Sequence, residues 1–167
     1  GGQGGGRRVA AGGRAGAGGG VGPDPAAAAG WLSRLGVTGV DAGVLTHSHA
    51  DHGEGLPGLL HGRVVRQILR SPVLDPAFQV REVQGWAADA GVPVQPLYPG
   101  DQLRWGEVRA VVLWPDRVIH EGSVPNNASV VLSVDIAGLR VLMPGDVETV
   151  AAHQVLLALR RDPAYQA

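Results

Sequence analysis

Apolar residues along this chain fall into short strand-like runs separated by stretches with helical spacing. Residues 26–35 place Trp31, Leu32 and Leu35 on one helical face, and Gly36 supplies a stop. Val40 to Thr46 is an apolar run that suits a buried strand, and Leu56 to Leu60 begins a short helix. Val64 to Leu69 reads as a further strand, ended by Ser71-Pro72. Pro76 to Ala90 predicts a helix, with Pro at its start, apolar residues at helical spacing and Gly91 after its end. Val92 to Leu97 is strand-like, and Leu103 to Leu113 is strand material with a turn near Trp105-Gly106. Ser129 to Ile136 and Leu139 to Met143 flank Ala137-Gly138 as a hairpin, and Val147 to Arg160 is the last helix. Strands and helices mix throughout, so sheets covered by helices are the simplest architecture.

Before Trp31 the pattern is different. Gly1 to Gly30 is dominated by Gly, Ala and Arg, and glycine loses the most backbone entropy on ordering while offering no side chain to pack. Residues 1–25 therefore read as a flexible Gly-rich arm or as first strands diluted with glycine, and 26–167 as one domain. A length of 167 residues is one domain's worth of chain or slightly less. The formal charge of −1 gives no overall basic field, and all 14 basic residues are Arg, which together with the Ala, Gly, Val and Pro excess fits a GC-rich genome. There is no Cys, which excludes thiolate metal sites and disulfides. No run approaches the roughly 18 apolar residues of a membrane helix.

The chemistry concentrates in His47-Ser48-His49-Ala50-Asp51-His52, which holds three of the six histidines. On a loop leaving a strand, His47 and His49 can turn the same way and converge on one ion, with Asp51 and His52 reaching a second. Imidazole and carboxylate without thiolate suit Zn, Mn or Fe. A solvated polar turn with Asp51 capping the next helix is the plainer alternative. Gly145-Asp146 follows the Leu139 to Met143 run and offers another carboxylate.

Thr46-His47-Ser48-His49-Ala50-Asp51-His52 resembles the signature of the metallo-β-lactamase superfamily. A narrower likeness runs through Trp114-Pro115, Asn126-Asn127-Ala128-Ser129-Val130-Val131-Leu132 and Val141-Leu142-Met143-Pro144-Gly145-Asp146-Val147-Glu148. That set is similar to the ComEC-type DNA-uptake (competence) family. The resemblance implies an α/β fold, a four-layer αββα sandwich, here incomplete at both ends. It implies two divalent metal ions, Zn or Mn, held by His47, His49, Asp51, His52 and Asp146, with Asp146 bridging and Asp51 serving catalysis. Lactamases and glyoxalases usually present a histidine near Asn126 or Asn127. The Asn pair is thus expected beside the first metal site and predicts one ligand fewer or a weaker one. The family's opening Asp-Val-Gly-Gln-Gly-Asp and closing His-His-Gly-Ser find no match, so one ion is expected to bind more weakly.

By function, the resemblance implies a phosphodiesterase or nuclease acting on a single DNA strand during uptake. Such a domain is the soluble part of a polytopic membrane protein, on the extracytoplasmic side, working with the membrane channel of the same protein and needing no small-molecule cofactor. Two other readings stand: a metallo-hydrolase of small esters, thioesters or lactams, and a catalytically impaired DNA-binding or scaffolding module. Arg63, Arg66 and Arg70 follow the metal loop closely and are candidate phosphate contacts, although a solvated surface explains them equally well. His153 is expected to be exposed and His61 to cap a helix or face solvent, His120 could approach the first metal, and the four Trp are expected to be core or half-buried anchors.

Overall fold

The structure, a computed structural model, describes residues 8–12, 30, 32–61 and 64–161. Its first sheet is parallel: β1 (Arg8–Gly12), β2 (Gly39–Leu45), the two-residue β3 (Val64–Val65), β4 (Ile68–Arg70) and β5 (Val94–Pro96). The order is β1-β2-β4-β5, with β3 also pairing β2. Both faces of β2 are covered. Val40 and Leu45 turn toward helices, while Ala42 and Val44 meet the second sheet. That is why its sequence is apolar at almost every position, Asp41 excepted, rather than alternating.

The single strand expected at 64–69 is instead two short ones. Arg66 and Gln67 interrupt it: the Arg66 N–H donates to Val40 O at 3.0 Å, and its guanidinium lies 3.4 Å from Asp41. β1 falls inside the Gly-rich stretch. Parallel pairing with β2 needs only backbone groups, which a segment of small residues still supplies. The rest of residues 1–25 lies outside the described residues. Residues 32–34 are helical, and Gly36 follows at φ 65°, while most of the helix expected over 26–35 lies outside the described residues.

Three helices lie on one side of this sheet: α1 (Ala50–Gly53), α2 (Leu56–Leu60) and α3 (Ala77–Asp89). Val80, Val83 and Ala87 of α3 are buried at helical spacing, and Val83 joins Val37, Val40, Leu56, Leu59 and Ile68 in one core cluster.

The second sheet is an antiparallel meander of β6 (Gln102–Trp105), β7 (Val108–Trp114), β8 (Val131–Ile136) and β9 (Leu139–Met143). Ala137 and Gly138 both have positive φ, 52° and 85°, the geometry of a tight hairpin. Ala42, Val44 and Leu69 of the first sheet pack against Ala110, Val112, Val130, Leu132 and Val134. A one-turn helix α4 (Val124–Asn127) precedes β8, and α5 (Thr149–Arg161) packs Ala151 and Val155 on Trp114 and Val131. The layers therefore run helix, parallel sheet, antiparallel sheet, helix: the metallo-β-lactamase arrangement. Among the described residues no helix is long and apolar enough to cross a membrane.

Candidate metal centre

The His-rich segment leaves the carboxyl end of β2 and is held from both sides. Thr46, His47 and Ser48 are buried, and His49 is extended at φ −67°, ψ 149° as the residue capping α1. The chain is thus extended through His47 and His49, then turns. The N–H groups of His52 and Gly53 both donate to His49 O at 3.0 Å, and that single turn swings His52 back toward His47. Gln79 of α3 clasps the same segment: with its amide oriented to satisfy both bonds, it donates to Ser48 O at 2.6 Å and accepts from Ala50 N at 2.9 Å.

Asp146 arrives from the other sheet, just beyond β9. Its Oδ2 lies 3.2 Å from His52 Nε2, and Asp51 Oδ2 lies 3.7 Å from the same nitrogen. One ligand atom each from His47, His52 and Asp146 falls within 4.8 Å of the others. His49 Nδ1 is 3.1 Å from His47 Nε2, and the His47 and His52 rings are 4.1 Å apart at their centroids. All five residues singled out in the sequence come together here. The compact trio takes one histidine from each of the two pairs that spacing had separated. The turn that delivers Asp146 needs Gly145, which sits at φ 61°; a Cβ there would lie 2.7 Å from Ser129 Cβ and 3.3 Å from Thr46 Cβ.

Crowded, buried imidazoles beside carboxylates are the donor set a divalent ion wants. Burial pushes the His47 pKa down from 6.5 to about 4, with His52 and His49 adding to the effect and Asp146 and Asp51 opposing it. The ring is therefore neutral at pH 7, as a metal ligand must be. Its Nδ1 lies 3.1 Å from Ser129 Oγ and 3.2 Å from Thr46 Oγ1, so hydroxyls occupy one nitrogen while Nε2 faces the other ligands. The residues fit a divalent cation.

Asn126 and Asn127, expected beside the first metal site, hydrogen-bond to Glu148 and Glu121. The Asn127 amide donates to Glu121 O at 2.8 Å and to Glu148 Oε2 at 3.3 Å, and its Oδ1 accepts from Glu148 N at 3.0 Å. Asn126 Nδ2 donates to Glu148 Oε1 at 3.4 Å. The pair locks α4 to the start of α5 through Glu148, and Gly122 leaves room for that carboxylate. Of the arginines, Arg63 lies outside the described residues and Arg66 pairs with Asp41. Arg70, at the end of β4 and in register with Leu45, is half-buried; its Nη1 donates to Ser71 O at 2.6 Å and its buried Nε has no hydrogen-bond partner. Burial draws its pKa down. His61, His120 and His153 are exposed. Trp114 is buried and donates to Asn127 O at 2.6 Å, and Trp86 and Trp105 are half-buried, whereas Trp31 lies outside the described residues.

Sequence reasoning missed Gln79 and Ser129 as parts of the site, and Glu148 as the partner of the Asn pair. Ser129 and Glu148 belong to the stretches that carry the family likeness, but their partners lie 82 and 21 residues away, beyond any local periodicity.

The profile of the Metallo-beta-lactamase superfamily matches residues 20–165. ComE operon protein 3 of Bacillus subtilis (strain 168) is 28% identical over 127 residues, covering 75% of this chain and 16% of that protein. The uncharacterized protein YcaI of Escherichia coli (strain K12) is 27% identical over 113 residues, covering 68% of this chain and 12% of its own length. The chain thus spans less than a fifth of these relatives. Among solved structures, CmlA, a diiron beta-hydroxylase from Streptomyces venezuelae, aligns at a TM-score of 0.47 and 17% identity, covering 66% of this chain and 21% of its own.

Proposed function

This chain belongs to the metallo-β-lactamase superfamily, and on that premise we propose that it is a metal-dependent phosphodiesterase cutting a DNA strand during uptake through a membrane channel. The observation that carries the reading is the meeting of His47, His52 and Asp146, from two different sheets, within 4.8 Å. The similarity to ComE operon protein 3 supports the choice of DNA among the substrates this fold could take.

In this reading His47, His49, Asp51, His52 and Asp146 would hold two divalent ions, Zn or Mn. Bound ions of this kind supply an acidified water and a Lewis acid for a phosphoryl oxygen. Asp51, less buried than His52, orients the attacking water and takes its proton. The water oxygen bonds to phosphorus as the bond to the leaving sugar oxygen breaks, and the proton taken by Asp51 passes through solvent to that oxygen, giving one phosphate end and one hydroxyl end. Arg70 is the arginine suited to the phosphate. It stands at the end of β4 in register with Leu45, just before the His-rich segment, whereas Arg66 already has Asp41.

The test is cleavage of an end-labelled single-stranded oligonucleotide by metal-stripped protein given Mn²⁺, Zn²⁺ or Mg²⁺. Cleavage should need added metal, with Mn²⁺ ahead of Mg²⁺ because imidazole ligands suit it better. Asp51→Ala should lose about 100-fold or more in rate, and Arg70→Ala should raise KM more than it lowers kcat. Equal cleavage by Asp51→Ala sinks the assignment. Metal-loaded protein that binds the oligonucleotide and never cuts it is a DNA-binding module instead.

A further inference from the structure

We propose that Ser129 is the positioning residue that ties the two ligand-bearing loops into one metal centre. The proposal rests on reading His47 and Asp146 as metal ligands, and is independent of which substrate is cut. Ser129 is fully buried two residues before β8, between the loop after β2 and the loop after β9. Its Oγ accepts the Asp146 N–H at 3.1 Å and lies 3.1 Å from His47 Nδ1, so one oxygen touches both segments. Around it the fit is close. The Val130 N–H donates to Thr46 O at 2.8 Å, and Gly145 needs to lack a Cβ because Ser129 occupies that space.

The proton count gives this contact a direction. Imidazole that binds a cation through Nε2 must carry its proton on Nδ1, and that N–H needs an acceptor. Ser129 Oγ has two lone pairs: one takes the Asp146 N–H, and the other is available to His47 Nδ1–H. Thr46 Oγ1 stands 3.2 Å from the same nitrogen but also 3.5 Å from His52 Nδ1, so it is shared between two rings of the same loop and does not reach across to Asp146. Ser129 alone among these hydroxyls joins a ligand of the first sheet to a ligand of the second. It thereby selects the His47 tautomer that leaves Nε2 free, and it fixes where the Asp146 carboxylate starts from.

Three measurements on the whole chain test this. In Zn²⁺-loaded wild type, ¹⁵N shifts of the His47 ring should show the proton on Nδ1 and the metal on Nε2; the opposite assignment overturns the proposal. Ser129→Ala should bind Zn²⁺ about 10–100-fold more weakly in chelator competition, as loss of a ligand's outer partner typically does. Its Co²⁺ form should show altered visible bands, which a merely structural role would leave alone. A folded Ser129→Ala protein, checked by circular dichroism, that binds Zn²⁺ as wild type does overturns the proposal. Should that variant not fold, the wild-type tautomer decides. Wild type that binds no Zn²⁺ overturns this proposal together with the metal-centre reading, so the two failures are distinguishable.

Discussion

At His47, burial and the neighbouring His52 and His49 favour the uncharged ring, while Asp146 and Asp51 pull the other way and lose, so its pKa falls from 6.5 to about 4. In the metal-free protein the folded chain therefore carries less proton at His47 than the unfolded chain between those two values. Stability from this residue is complete above pH 6.5, declines as pH falls through the window, and levels below about pH 4. The loss is on the order of a few kcal/mol. Thermal melts of chelator-treated protein at pH 7, 5.5 and 4.5 should show it, and a His47→Asn variant should give a flatter profile. Equal pH dependence in the two proteins would remove His47 as the cause. At this scale the candidate ligands were readable because His47, His49 and His52 crowd six positions. Asp146 was readable only as a Gly-Asp pair following a strand. Ser129 and Gln79 were not, because a hydroxyl or an amide in the sequence carries no mark of the ring or carbonyl it will meet.

Elements with a full period were legible, and those with less than one were not. Spacing located α3 and α5 to within a few residues, since Val80, Val83 and Ala87 or Ala151 and Val155 repeat on one face. The one-turn helices α1 and α4 have four residues each, too few to show a period. The Asn pair, expected beside the first metal site, also clasps α4 to α5 through Glu148, a role that only α4 makes visible. Asn127 is 0% exposed, and removing its amide leaves the Glu148 N–H and the Glu121 carbonyl without partners. Asn127→Ala should then cost about 2–3 kcal/mol and lower Tm by roughly 5–10 °C. Calorimetry of the metal-free protein checks this. A shift below about 2 °C would mean that water replaces the amide at no cost.

For the whole molecule, the decisive fact is that the candidate ligands come from both sheets. The apolar runs of Val40 to Thr46 and Ser129 to Ile136 told of buried strands, but periodicity held nothing about which strand ends would meet. The four-layer order came from family likeness, and the reason is physical: contacts between sheets link residues far apart in sequence, and each side is satisfied by any apolar surface of the right shape. What apolar packing leaves loose, an ion can pin. A cation held by His47 and His52 from the first sheet and Asp146 from the second would cross-link the sandwich just past the ends of β2 and β9, and it would bind the folded chain rather than the unfolded one. At an ion concentration near 100 times Kd the folded state gains about 2.7 kcal/mol, which should raise Tm by roughly 5–10 °C. Asp146→Ala separates this from packing. Asp146 is only half-buried and its side chain fills no part of the apolar core, so the metal-free variant should melt near the metal-free wild type. Added Zn²⁺ should then raise the wild-type Tm and leave the variant nearly unmoved. If Zn²⁺ stabilises both equally, the ion sits on the His47 to His52 loop alone, and the two sheets are joined by their core without it.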